Sequence, residues 1–102
     1  MKTKDYSEKH YGLANITKLF SHPARIQLLE MLMEKGYIRS DDMAKGFPIA
    51  FTSVSQHLKE FRENGLVYKK YFDSGIGYAF NEERFNIMKN QIIEFLTSMD
   101  SK

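Results

Sequence analysis

The sequence predicts a mainly α, α+β domain of five helices and one two-stranded β-hairpin, and three observations point there. Apolar residues recur at helical spacing through most of the chain. Aromatic and β-branched residues concentrate between Leu66 and Phe80, around the turn-forming run DSGIG from Asp73 to Gly77. Helix-starting and helix-ending residues fall between the periodic segments. The 102 residues suffice for one small domain with a modest core, and there is no repeat, low-complexity tract or linker-like stretch to divide them. Residues 1–102 are therefore expected to form a single domain.

Leu13, Ile16, Leu19 and Phe20 set the period of a first helix from about Ser7 to Phe20, with Gly12 as its weak point. His22 and Pro23 interrupt and restart the chain, proline being suited to a first helical turn. The following helix, ARIQLLEMLMEK, is apolar around most of its circumference, which predicts a buried central helix, and Gly36 closes it. Ser40 is a good N-cap, and Asp41 and Asp42 place negative charge where the helix dipole favours it, so a short third helix is expected through Lys45. Gly46, Phe47 and Pro48 then form a turn into a fourth helix, the stretch TSVSQHLKEFRE. After Gly65, LVYKKYF and YAF read as a hairpin with a loop of about five residues. A fifth helix runs from about Glu82 to Ser98.

Composition removes several function classes. There are no cysteines, which excludes disulfides, zinc ribbons, thiolate metal sensors and cysteine redox switches. The start, MKTKDYSEKHYG, has lysines without an apolar stretch behind them, so it is not a secretory signal, and the apolar runs are too short for a membrane span; a cytoplasmic protein fits best. Fifteen Lys and Arg against thirteen Asp and Glu give a net charge of +2. A nucleic-acid binder with so small an excess must concentrate its positive charge on one face.

The fourth helix is the informative one. Stepping 100° per residue from Val54 puts Leu58 and Phe61 within about 40° of it, and Thr52, Gln56, Lys59 and Glu63 on the far side. A broad polar face of this kind is ordinarily just solvated. Here, however, its N-terminal half holds Thr52, Ser53, Ser55 and Gln56, short hydrogen-bonding groups suited to phosphates and base edges. A short helix and tight turn precede it, as in the first half of a helix-turn-helix, and Lys69 and Lys70 follow on the hairpin.

The run from Ser53 to Val67, S-V-S-Q-H-L-K-E-F-R-E-N-G-L-V, resembles the recognition helix of winged helix-turn-helix regulators of the ArsR/SmtB type, through its Ser-x-His-Leu core and Gly-Leu-Val exit. LFSHPARIQLLEML, Leu19 to Leu32, is similar to the family's second helix with its Pro-x-Arg entry, and YAFN, Tyr78 to Asn81, to the return strand of the wing. The similarity spans roughly residues 13 to 81, in order and in register. It implies a dimeric transcription regulator that sets the Thr52 to Lys59 helix into the major groove of double-stranded DNA and lays the Lys69 to Ile76 wing along the backbone. Two positions depart from the family pattern. The linker from Lys45 to Phe51 carries a proline and a phenylalanine where small and polar residues are usual, and Asp73 stands at the wing tip where basic residues are common.

On this reading Thr52, Ser53, Ser55, Gln56 and Lys59 contact bases or nearby phosphates, and Lys69 and Lys70 attract the backbone. Arg62, and Arg25 likewise, could instead pair with a carboxylate inside the fold. His57 lies about 60° from the apolar seam, which favours partial burial with a hydrogen bond over a DNA contact. Ser53 and His57 are four apart and could form a nucleophile–base pair, but no third group or oxyanion site accompanies them, so the protein is expected not to be an enzyme. His10, His22 and His57 are scattered and the last helix has no histidine. Metal-sensing relatives use cysteines in the third helix or His with Asp and Glu on the last, so no metal and no cofactor is expected.

Phe85, Met88, Ile92, Phe95 and Met99 on the last helix follow a 3, 4, 3, 4 spacing, a heptad seam that Leu96 widens. A core-facing helix could carry the same pattern. In so small a domain the seam is expected to be shared with a second copy, Leu13, Ile16 and Phe20 of the first helix completing the dimer surface. The two reading helices would then lie about 34 Å apart, matched to a pseudo-palindromic operator. The competing reading is a winged-helix module that binds a protein rather than DNA.

Overall fold

Ser7 opens the first helix, α1 (Glu8–Lys18), through a reciprocal cap: its hydroxyl accepts from the His10 backbone N–H while its own N–H donates to His10 Nδ1, both at 3.2 Å. The computed structural model describes residues 6–43, 45, 51–73 and 75–101, apart from the side chains at 43, 51, 52 and 101. Leu19 and Phe20, expected at the end of the first helix, fall instead in a tighter turn whose N–H groups donate to Ile16 and Thr17. α2 (Pro23–Lys35) starts on His22, whose Nδ1 accepts from the Ala24 N–H at 2.9 Å, and it ends on Gly36, left-handed at φ 84°.

α2 is less enclosed than its sequence predicts. Arg25, Leu28, Leu29 and Leu32 are buried, but Ile26 and Met33 face outward at 40% and 48% exposure. With so few elements, only one side of the helix can be covered.

After Gly36 comes an element the sequence did not reveal, a short strand β1 (Tyr37–Arg39). It leads directly into α3 (Ser40–Met43), which begins at Ser40 itself and is shorter than expected. The turn anticipated at Gly46, Phe47 and Pro48 lies outside the described residues. α4 (Phe51–Glu63) is followed by β2 (Val67–Phe72), β3 (Gly75–Phe80) and α5 (Glu82–Ser98), with a final 3-10 turn, Met99–Ser101. The five helices and the hairpin are those expected. The hairpin gains β1 as a third antiparallel strand, in the order β1-β3-β2, and its strands close to Phe72↔Gly75, leaving a two-residue connection rather than five.

The core lies between α2, α4 and the inner face of this sheet. Leu19, Leu28, Leu32, Val54, Leu58, Phe61 and Leu66 are each no more than 1% exposed, and Ile38 and Val67 close it from the strands. Among the described residues no helix is long and apolar enough to cross a membrane.

Gly77 is held by the sheet alone. A Cβ there would meet the Ile38 carbonyl oxygen at 2.5 Å, Phe72 Cε2 at 2.8 Å and Arg39 Cα at 2.9 Å, so no side chain fits while β1 stays paired and the Phe72 ring lies across the strand. Gly77→Ala is expected to cost about 2 kcal/mol of stability or more by forcing β1 and β3 apart, measured by urea unfolding.

Candidate nucleic-acid interface

Two local devices fix which side of α4 is wet. Val54, Leu58 and Phe61 are fully buried, so the opposite face, with Gln56, Lys59 and Glu63, is turned to solvent. At its C-terminus the helix ends in a Schellman motif. Leu66 N–H donates to the Phe61 carbonyl at 2.9 Å and Gly65 N–H to the Arg62 carbonyl at 3.0 Å, with Gly65 left-handed at φ 77°. That motif explains the Gly-Leu-Val exit: glycine adopts the turn, leucine packs back into the core and valine begins the strand.

Ser53, Gln56 and Lys59 are exposed and Ser55 is half-buried. Thr52 lies in the first turn of α4, its side chain outside the described residues. The helix thus offers a short polar surface at its N-terminal half, as the sequence spacing predicts. Arg62 is exposed on the flank rather than turned into the fold.

Lys69 and Lys70, grouped together by sequence, do not act from one face. Successive strand residues alternate sides. Lys69 stands opposite Tyr78, whereas Lys70 stands opposite Gly77, which in turn pairs with Arg39. On that second face the Lys70 ammonium and the Arg39 guanidinium lie 5.6 and 5.2 Å from the centre of the Phe72 ring, and the Tyr37 ring is 5.3 Å away. Arg39, Tyr37 and Phe72 were not singled out in the sequence. Two of them sit on the unrecognised strand, so no pattern placed them beside the wing.

The flank of α4 that faces α2 carries His57. Its Nδ1 accepts from Arg25 Nε at 2.9 Å, and the buried Arg25 also donates through Nη1 to the Lys18 carbonyl at 2.8 Å. The partial burial with a hydrogen bond expected of His57 is present. Arg25, by contrast, pairs with an imidazole and a carbonyl and, among the described residues, with no carboxylate. The Nδ1 lone pair of His57 is taken by the Arg25 N–H and is not free to accept from Ser53. The His22 ring lies tilted by 44° against that of His57, 4.9 Å between centroids, and the Lys18 ammonium approaches the Glu60 carboxylate at 3.8 Å. Burial, then the Arg25 charge and His22, hold the His57 imidazole below its ordinary value, while Glu60 acts weakly the other way. Among the described residues no three His, Asp or Glu side chains converge as a metal site requires.

The seam of α5 divides along its length. Met88 and, from α1, Ile16 are buried within the chain's own core, and Phe20, Phe85 and Ile92 pack against it. Beyond Ile92 this end is bare: Phe95 and Leu96 of α5 and Met99 of the turn after it are 41%, 57% and 58% exposed, the first two beside the half-buried Leu13.

No family model matches the sequence, and no curated protein aligns with it significantly. Solved structures do superimpose. An ArsR family transcriptional regulator matches with a TM-score of 0.72 at 20% identity, covering 95% of this chain and 99% of its own. The transcriptional repressor BigR from Xylella fastidiosa is 25% identical, with a TM-score of 0.63 over 93% of this chain and 97% of its own. The fold is the ArsR-type winged helix. An ArsR-like transcriptional regulator from Rhodococcus sp. RHA1 shares it at 18% identity, covering 93% of this chain and 89% of its own with a TM-score of 0.69. In ArsR-type terms α3 and α4 stand as the helix-turn-helix, the β2–β3 hairpin is the wing, and β1 is a third strand along it.

The lowered His57 value has a consequence for stability. The unfolded chain takes up a proton at His57 near the ordinary value of about 6.5, whereas the folded chain does so only at lower pH. Unfolding is therefore favoured by protons, and stability is full above that value and falls as pH drops from it toward the folded one. Thermal melts at about pH 7.5 and about 5.5 should show a larger drop in Tm for the native chain than for His57→Asn, which cannot titrate.

Proposed function

We propose that the chain is a sequence-specific, double-stranded-DNA-binding transcription regulator, acting as a homodimeric repressor on a pseudo-palindromic operator. The observation that carries this reading is α4 itself: a helix anchored by a fully buried seam, with Ser53, Gln56 and Lys59 exposed on its outer side, in a fold shared with transcription regulators. A major groove admits one such helix, and amide and hydroxyl groups can match its base edges. Thr52, Ser53, Ser55, Gln56 and Lys59 would make contacts there, with Lys69 on one face of the wing and Lys70 on the other supplying attraction to the backbone.

A second copy would cover the bare end of α5. Phe95, Leu96 and Met99, with Leu13 of α1, form an apolar surface continuous with the partly buried Phe20, Phe85 and Ile92. The competing reading, a protein-binding winged helix, draws on the exposed Tyr68 and Tyr71 of the wing, Tyr71 being 72% exposed. Gel shifts against sheared fragments of the source genome separate the two readings. If a dimer neutralises about six phosphates, affinity is expected to fall about a thousandfold between about 50 and about 200 mM salt. An absence of shift at low salt favours the protein partner.

Two substitutions test the assigned residues. Gln56→Ala is expected to relax sequence preference at one base position by about 1–3 kcal/mol while leaving non-specific affinity nearly unchanged; unchanged discrimination removes Gln56 from the reading set. Leu96→Glu, at an exposed position that leaves the core intact, is expected to weaken self-association about tenfold or more, the effect of about 1.4 kcal/mol, read by sedimentation equilibrium.

A further inference from the structure

α4 is fastened to the rest of the molecule in two chemically different ways. Its seam is apolar and indifferent to pH. Its flank is tied to α1 and α2 through a chain of polar contacts: the Lys18 carbonyl accepts from Arg25, Arg25 Nε donates to His57 Nδ1, and the Lys18 ammonium meets Glu60 one turn further along α4. This chain lies next to the polar surface assigned to DNA, since His57 directly follows Gln56 and sits one turn from Ser53.

The direction of each hydrogen bond makes the tie conditional. His57 Nδ1 can accept from a guanidinium N–H only through its lone pair, so the neutral ring must carry its proton on Nε2. A second proton can add only at Nδ1. There it would point an N–H at the Arg25 N–H, replacing an acceptor by a donor and putting a cation beside a cation. The His22 ring, whose Nδ1 accepts from the Ala24 N–H, lies 4.9 Å from that of His57. The charged and titratable groups around His57 are Arg25 and His22 from α2, Lys18 from α1 and Glu60 from α4 itself. Three of these four are basic, so protonation of His57 meets net repulsion, which Glu60 offsets only in part.

We propose that Arg25 and His57 are positioning residues for the reading helix: a neutral His57 latches the α4 flank to the α1–α2 corner, and protonation at Nδ1 opens the latch, loosening Ser53 and Gln56 and weakening duplex binding in acid. This deepens, and for its DNA arm rests on, the reading of α4 as the groove-binding helix. Burial of Arg25 sharpens the effect, because a guanidinium that loses its acceptor in the interior is left unsatisfied rather than rehydrated.

His57→Asn is the decisive variant. It places an amide oxygen at the Nδ1 position, where it accepts from Arg25 at every pH. His57→Leu removes the acceptor altogether. Backbone amide exchange of Val54 to Phe61 in the free protein, corrected for intrinsic rates, reports the latch without DNA. Protection in the native chain is expected to drop severalfold more than in His57→Asn between about pH 7.5 and about 5.5. His57→Leu should be poorly protected at both. Binding of the native chain to sheared source-genome fragments, measured at the same two pH values, should weaken severalfold relative to His57→Asn. Referring it to that variant cancels the effect of pH on every group that the two chains share. Equal pH profiles for the native chain and His57→Asn, or full protection in His57→Leu, overturn the latch even where DNA binding is normal. A native chain that shows the exchange difference but binds no duplex at either pH keeps the latch and overturns the DNA reading instead.

Discussion

The burial of three side chains, Val54, Leu58 and Phe61, decides most of what this molecule can do. Each removes its apolar surface almost wholly from water, at about 1.5–3 kcal/mol apiece, and together they allow one rotation of α4 about its axis. A rotation by one residue would bring Ser55 and Arg62 toward the core and leave a leucine or phenylalanine in water. The wet face is thus a by-product of the dry one. Gln56 and Lys59 need no contact of their own to be presented, which leaves them free to change with the ligand while the scaffold stays the same.

Polar contacts then refine what the apolar seam has set. All three histidines accept a hydrogen bond at Nδ1: His10 in the cap of α1, His22 in the cap of α2 and His57 from Arg25. None of these positions would be filled equally well by lysine or arginine, which lack a lone pair to offer. Asn81 performs a comparable service with an amide, which can donate and accept at once. Its Nδ2 donates to the Gly65 carbonyl at 3.0 Å while its Oδ1 accepts from the Arg84 N–H at 3.1 Å.

The long elements were legible in the sequence because their signals are periodic and bounded. α2 and α5 run between the residues that the proline, the glycine and the apolar spacing indicate, and the seam of α4 is buried as its wheel predicts. What escaped was short or non-local. β1 has three residues, too few to establish a period, and it exists because β3 offers it a paired edge some forty positions later in the chain. The Arg25–His57 contact spans thirty-two residues, and nothing in either local stretch names the other. The division of Lys69 from Lys70 was readable in principle from strand alternation alone. The apolar seam of α5 was visible, but its partition into a covered and a bare part depends on how far the core extends, which a helical wheel does not contain.

The junction at Asn81 has a mechanical consequence. The same side chain secures the first turn of α5 and the exit from α4, and Asn81 N–H also donates to the Leu66 carbonyl at 2.9 Å. The bare apolar end of α5 and the polar surface of α4 are thus joined through one hydrogen-bonded residue. Whatever grips Phe95 and Leu96 therefore bears on the placement of α4 through the Asn81 junction.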